Sequence, residues 1–127
     1  MAVERRKRRT ARGDRGQAAV EFIGMLPLLV LLGLALVQIG LAAYAVEQAG
    51  TGARAAARAA SRPGPAGCRA AGHAAMSGWI AKRAEVGCRT GPGEVTATVT
   101  VRIPSVIAFD LGSTTKSVTM PADAARP

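Results

Sequence analysis

From Phe22 to Val46 the chain reads FIGMLPLLVLLGLALVQIGLAAYAV, 25 residues with no formal charge and with Gln38 as the one strongly polar position. About 20 apolar residues carry a helix across the hydrocarbon core of a bilayer, so this pattern predicts a transmembrane helix. The competing reading is a buried helix of a soluble domain. So long an uncharged run is out of proportion to a chain of 127 residues. Pro27 falls in the first turns of the predicted span, where a missing amide hydrogen bond costs least. Gly33 and Gly40 lie seven apart and share a face with Val37 and Tyr44. Small residues on one face permit close helix approach, although glycine is also generally common in membrane helices.

Beyond the run, Glu47 to Ser61 (EQAGTGARAAARAAS) continues the helical pattern. Arg54, Arg58 and Arg62 recur every four residues and line one side. Ala53, Ala56, Ala57 and Ala60 cover the other, a smooth face suited to packing on a neighbouring helix or a small sheet. A solvated helix of good intrinsic propensity gives the same pattern. Pro63-Gly64-Pro65 ends it. Ala70 to Glu85 predicts a short second helix with Met76, Trp79 and Ile80 facing inward. From Glu94 to Ile107 the period changes to two. Val95, Ala97, Val99, Val101 and Ile103 alternate with Thr96, Thr98, Thr100 and Arg102, which marks a half-buried strand. Gly91-Pro92-Gly93 supplies the turn before it and Pro104 breaks or ends it. Lys116 to Met120 is a second strand, set off by Gly112-Ser113-Thr114 and able to form an antiparallel hairpin with a long connection. The tail from Pro121 onward is expected to be disordered.

The elements sum to a membrane-anchored α+β architecture. A long N-terminal transmembrane helix extends outward and leads to a short helix and a small antiparallel β element. The expected organisation is residues 1–16 as a basic leader, 17–46 as the span, 47–62 as the helix extension and 63–127 as a small α+β region.

Charge gives this arrangement a direction. The formal net charge is +9. Residues 1–16 hold seven basic side chains, Arg5 to Arg15, against Glu4 and Asp14, a net of +5. The basic tail just before the apolar run predicts a cytoplasmic N-terminus and an extracytoplasmic C-terminus. With the charge concentrated there and aromatic residues at 3%, stacking platforms for nucleic acid are missing, and no nucleic-acid partner is expected. A cleavable secretory signal remains an alternative. Ala43-Tyr44-Ala45 fits the small-x-small rule, but the apolar run exceeds the usual 7–15 residues of a signal peptide.

The junction ahead of the run reads Gly16-Gln17-Ala18-Ala19-Val20-Glu21-Phe22. Glycine, four residues, glutamate, an aromatic and then the apolar helix resemble a type IV prepilin processing site, GxxxxEF. Together with the AVEF start, the early Leu26-Pro27 and the Ala/Arg-rich segment after the span, the stretch from Gly16 to Ala60 resembles the TadE-like pseudopilins of the tight-adherence (Tad/Flp) pilus system. The resemblance extends only loosely to the C-terminal part. It implies a pilin-like fold, a prepilin peptidase that cuts after Gly16 on the cytoplasmic side, and other pilin or pseudopilin subunits as partners. Glycine at the cut suits a backbone that must enter a protease cleft extended. Cutting there places a new α-amino group on Gln17. A carboxylate at the lipid edge is costly unless paired, and the resemblance implies that Glu21 meets the N-terminal amine of a neighbouring subunit and sets helix register. The plainer reading of Glu21 is a solvated charge at a helix N-terminus, where the dipole favours it.

Cys68 and Cys88 in an extracytoplasmic segment suggest a disulfide. Closing a loop of about 20 residues contributes roughly 3 kcal/mol in the chain-entropy model. A free-thiol state fits the same spacing. A zinc site needs about four ligands, and Cys68, His73 and Cys88 are the only candidates here, so no metal and no cofactor is expected. His73 reads as an ordinary surface or half-buried histidine. No Walker loop, GxSxG elbow, CxxC or HExxH occurs, and the chain is expected not to be an enzyme. Three function classes remain: a pseudopilin of a pilus or secretion apparatus, a single-pass surface-binding protein, and a small secreted domain released after Ala45.

Overall fold

A computed structural model describes residues 2–62 and 67–123, with side chains from Arg15 onward. The elements in order are α1 (Ala2–Ser61), α2 (Cys68–Ala74), α3 (Gly78–Ala81), β1 (Ala84–Gly91), β2 (Glu94–Arg102) and β3 (Ser113–Pro121). The chain divides into two compact units, Met1–Val37 and Gln38–Pro127.

In the first unit every side chain from Arg15 to Val37 is exposed. The helix Arg15–Ser61 is long and apolar enough to cross a membrane, and only 6% of its most apolar 18-residue window is buried in protein. A soluble core helix would bury that surface; here nothing among the described residues covers it, and it needs an apolar surrounding. Pro27 differs from expectation. It lies inside α1 rather than in its first turns, because the helix already starts at Ala2. The Ile23 carbonyl thereby loses its helical donor. Membrane helices tolerate such a proline when local adjustment satisfies the freed group.

The second unit is built on small residues. Ala45, Ala49, Ala53, Ala56 and Ala57 recur at intervals of three and four along α1 and are fully buried. They pack in one cluster with Cys68, Met76, Ile80, Val86, Ala97, Val99 and Val101. The expected arginine face is also there, with Arg54, Arg58 and Arg62 exposed. Two glycines set how closely the layers approach. A Cβ on Gly52 would stand 3.0 Å from the Met76 sulfur and 3.2 Å from the Gly72 carbonyl oxygen. A Cβ on Gly72 would stand 3.0 Å from a Val86 methyl and 3.2 Å from the Ala56 methyl.

The sheet is antiparallel in the order β1-β2-β3. β2 alternates as the sequence predicts, with Val95, Ala97, Val99 and Val101 inward. Burying each valine contributes roughly 1.5–3 kcal/mol. The strand stops at Arg102 rather than Ile107, since Pro104 cannot donate to a ladder. β3 pairs with β2 from Arg102↔Ser113 to Glu94↔Pro121, so the predicted hairpin with a long connection is present and longer than expected. Pro121 belongs to the strand instead of a disordered tail, and the Ala122 amide still donates to the Gly93 carbonyl at 3.0 Å. Residues 124–127 lie outside the described residues, as do 63–66 with the Pro63-Gly64-Pro65 break.

Two expectations fail between residues 70 and 91. The predicted helix Ala70–Glu85 is two short helices, and β1 takes over at Ala84. The break centres on Ser77, whose backbone is extended at φ −60° and ψ 144°. Its amide donates to Gln48 Oε1 at 2.8 Å, and its hydroxyl shares a 2.9 Å hydrogen bond with the Tyr44 hydroxyl. Contacts from α1 thus replace the helical bonds that an unbroken helix would make here. β1 itself buries only Val86. It is a strand because β2 offers it eight paired residues, Ala84↔Val101 to Gly91↔Glu94. Pro92 and Gly93 make the two-residue turn between them, with Gly93 at φ +76°, as a type II turn requires.

Candidate functional site

The sequence points to the head of the apolar helix. Gly16, Gln17, Glu21 and Phe22 all lie in α1 and all are exposed. An exposed glycine inside a helix costs roughly 0.8–1.0 kcal/mol relative to alanine. At Gly16 a Cβ would meet nothing within 4 Å, so no packing among the described residues calls for glycine there. A protease that needs extended backbone must first unwind this turn, which glycine makes easier. Glu21 stands one residue before the uncharged run, at the polar edge of the apolar surface.

Of the residues assigned to a packing face, Gly33 and Gly40 are open, with nothing within 4 Å of an added Cβ. Val37 is exposed. Tyr44 is used within the chain: its ring stacks on Trp79 with centroids 5.6 Å apart and planes within 7°. Trp79, expected to face inward, is half-exposed, while Met76 and Ile80 are buried as the sequence predicts.

Cys68 and Cys88 are disulfide-bonded, with Cα atoms 6.5 Å apart. The bond ties α2 to β1, a strand with a single buried side chain. It also removes both sulfurs from the metal-ligand set. His73 is half-buried on α2. Among the described residues no group of three His, Cys, Asp or Glu side chains comes together.

Sequence reasoning missed the role of Gln38. Its side chain is buried, its Nε2 donates to the Pro104 carbonyl at 2.8 Å, and its Oε1 accepts from the Val106 amide at 2.9 Å. One amide thus clasps the β2–β3 loop on both sides. The signal was available: a lone amide in an uncharged run must find partners, because an unpaired polar group in an apolar medium is costly. Also missed was the outer sheet face, where Thr96–Thr119, Thr98–Ser117 and Thr100–Thr115 share hydroxyl hydrogen bonds of 2.9, 2.8 and 3.1 Å. A depression of about 490 Å³ lies beside them, lined by Gly87, Cys88, Arg89, Thr96, Thr98 and Ser117.

A long, solvent-averse N-terminal helix carrying two short helices and a three-stranded antiparallel sheet defines a membrane-anchored α+β protein of pilin-like architecture. The family model described as TadE-like protein matches residues 16–58, so this segment is similar to that family, as its junction and apolar run suggested. The match opens on Gly16 and closes on Arg58. It takes in the junction, the apolar run and the alanine face, and leaves out the disulfide and the sheet. No curated protein and no solved structure matches the chain.

Proposed function

We propose that this chain is a pseudopilin or minor pilin subunit of a bacterial Tad/Flp pilus assembly or secretion apparatus, cut by a prepilin peptidase after Gly16. The observation that carries the reading is the coincidence at residue 16. The TadE-like match begins on the glycine of the GxxxxEF pattern, and nothing among the described residues packs against that glycine. In this reading residues 1–16 orient the chain with its N-terminus in the cytoplasm and are then removed. Gln17 becomes the new N-terminus, and Glu21 pairs with the terminal amine of a neighbouring subunit to set register. Gly33, Val37 and Gly40 offer the surface along which helices assemble. The chain's part in catalysis is that of a substrate.

Release of a secreted domain after Ala45 is disfavoured by the packing of the second unit. That cut removes Gln38, Tyr44 and Ala45, which hold the β2–β3 loop, Trp79 and the core.

N-terminal sequencing of the membrane-extracted protein, from cells with an active prepilin peptidase, tests the reading. Gln17 as the first residue is the expected result, and replacing Gly16 by a bulky residue should leave the leader attached. A start at Val46 means secretion, and an intact N-terminus sinks the proposal.

A further inference from the structure

We propose that the β2–β3 loop, residues 103–112, is a membrane-inserted anchor that seats the second unit on the outer leaflet of the bilayer its helix spans. The inference rests on α1 being a span with its C-terminal side outside, and it adds a lipid-binding surface far away in sequence.

The loop displays apolar side chains to the outside. Val106, Phe109 and Leu111 are 50%, 73% and 42% exposed, although the sheet and α1 offer them a core a few residues away. Their backbone is held rather than loose. The Ser105 hydroxyl lies within hydrogen-bond reach of the Ile107 and Phe109 carbonyls. Asp110 Oδ1 accepts from the Gly112 amide at 2.9 Å, and the Ile103 amide donates to the Gly112 carbonyl at 3.0 Å. These bonds satisfy part of the loop's backbone, and the apolar side chains turned outward suit the headgroup–acyl boundary, where water still reaches the remaining polar groups.

Gln38 fixes the depth. It bonds the loop at Pro104 and Val106 and is itself a member of the apolar run. A hydrocarbon core of about 30 Å takes about 20 helical residues at 1.5 Å each. Counted from Phe22, that reaches Leu41, three residues past Gln38. By this count along the helix, the proposal brings Gln38 and the loop bonded to it to the hydrocarbon boundary, where a water-seeking loop would be penalised.

What surrounds the loop fits a lipid surface. The Tyr44–Trp79 stack lies nearly two turns above the Gln38 level, about one turn past Leu41, where aromatic pairs sit in a membrane interface. Arg102 ends β2 immediately before the loop, its amide donates to the Arg83 carbonyl at 3.0 Å, and Lys82 lies next to Arg83. These three exposed cations share the loop's end of the sheet and match anionic phospholipid headgroups. Glu85 lines the same surface and leaves it net positive, so a second copy of this chain would bring like net charge to the contact and anionic lipid is the better partner. The loop's one charge, Asp110, is tied to Gly112 and exposed, free to stay at headgroup level.

The test uses the full chain reconstituted in vesicles of phosphatidylcholine and phosphatidylglycerol. The sequence has one tryptophan, so a Trp79→Phe background is free of signal. Into it go, singly, Phe109→Trp in the loop, Leu29→Trp in the apolar run and Thr98→Trp on the outer sheet face. Emission is read with and without acyl-brominated lipids. The proposal expects the Phe109→Trp probe to be blue-shifted and to lose emission to brominated lipid, as the Leu29→Trp probe does, while the Thr98→Trp probe stays red-shifted and unquenched. A red-shifted, unquenched Phe109→Trp probe beside a quenched Leu29→Trp probe overturns the anchor and leaves the span standing. A blue-shifted but unquenched Phe109→Trp probe places the loop against protein, such as a second subunit, and also overturns it. An unquenched Leu29→Trp probe overturns the span and the anchor together.

Discussion

The helix α1 serves two units that solve the same problem in different ways. Between Phe22 and Val37 its apolar side chains are mostly large: leucine, isoleucine, valine, methionine and phenylalanine, all turned outward. Between Ala45 and Ala57 its buried positions are all alanine or glycine. Large outward side chains maximise contact with lipid tails and need no matching surface. Alanine and glycine contribute little area each but let a sheet and a second helix approach the backbone closely. Side-chain size along one helix thus marks where lipid gives way to protein as its partner.

The comparison can be broken most sharply at the disulfide. Cys88→Ser removes a cross-link of sequence separation 20, with an expected cost of about 2–5 kcal/mol to the second unit. Limited proteolysis should then cut the sheet region readily, while membrane extraction behaviour stays as in the parent, because the apolar run does not depend on that bond. Equal loss in both properties would mean that the two regions are not separable.

Side-chain size can be tested directly by making one change in each region. Ala53→Leu forces a larger group into a fully buried site and should destabilise the second unit by about 1–3 kcal/mol. Ala35→Leu, at an exposed position of the apolar run, should leave stability unchanged and membrane retention equal or better. Denaturant melts followed by Trp79 emission give the first result, and carbonate extraction gives the second. A harmless Ala53→Leu would show that the alanine face tolerates slack and is not set by close approach.

A more local effect is expected at Gln38, the first residue of the second unit. Gln38→Leu keeps the run apolar but leaves the Pro104 carbonyl and Val106 amide without the partners they now have. Each such loss costs about 1–3 kcal/mol when the group stays dry, less if water reaches it. Hydrogen exchange should quicken at Val106 and its neighbours and remain slow at Val99 and Val101. Uniform exchange changes across the sheet would indicate that Gln38 supports the whole unit rather than its loop.

The sequence alone was enough for the features that repeat with a simple period or stand out by composition. The uncharged run, the alanine and arginine faces of its extension and the alternation of β2 each follow from side-chain chemistry at fixed spacing. Tertiary structure decided what has no such period. β1 carries one buried side chain and two glycines, so only the waiting edge of β2 makes it a strand. The helix expected from Ala70 ends early because Gln48 and Tyr44, far back on α1, bind Ser77. Trp79 faces outward because its best partner is a tyrosine ring rather than the core. Gln38 was visible as an oddity, yet its meaning depended on a loop 66 residues away. Local chemistry determines which surfaces must be covered, and the fold decides what covers them, since partners distant in sequence meet only when the chain closes.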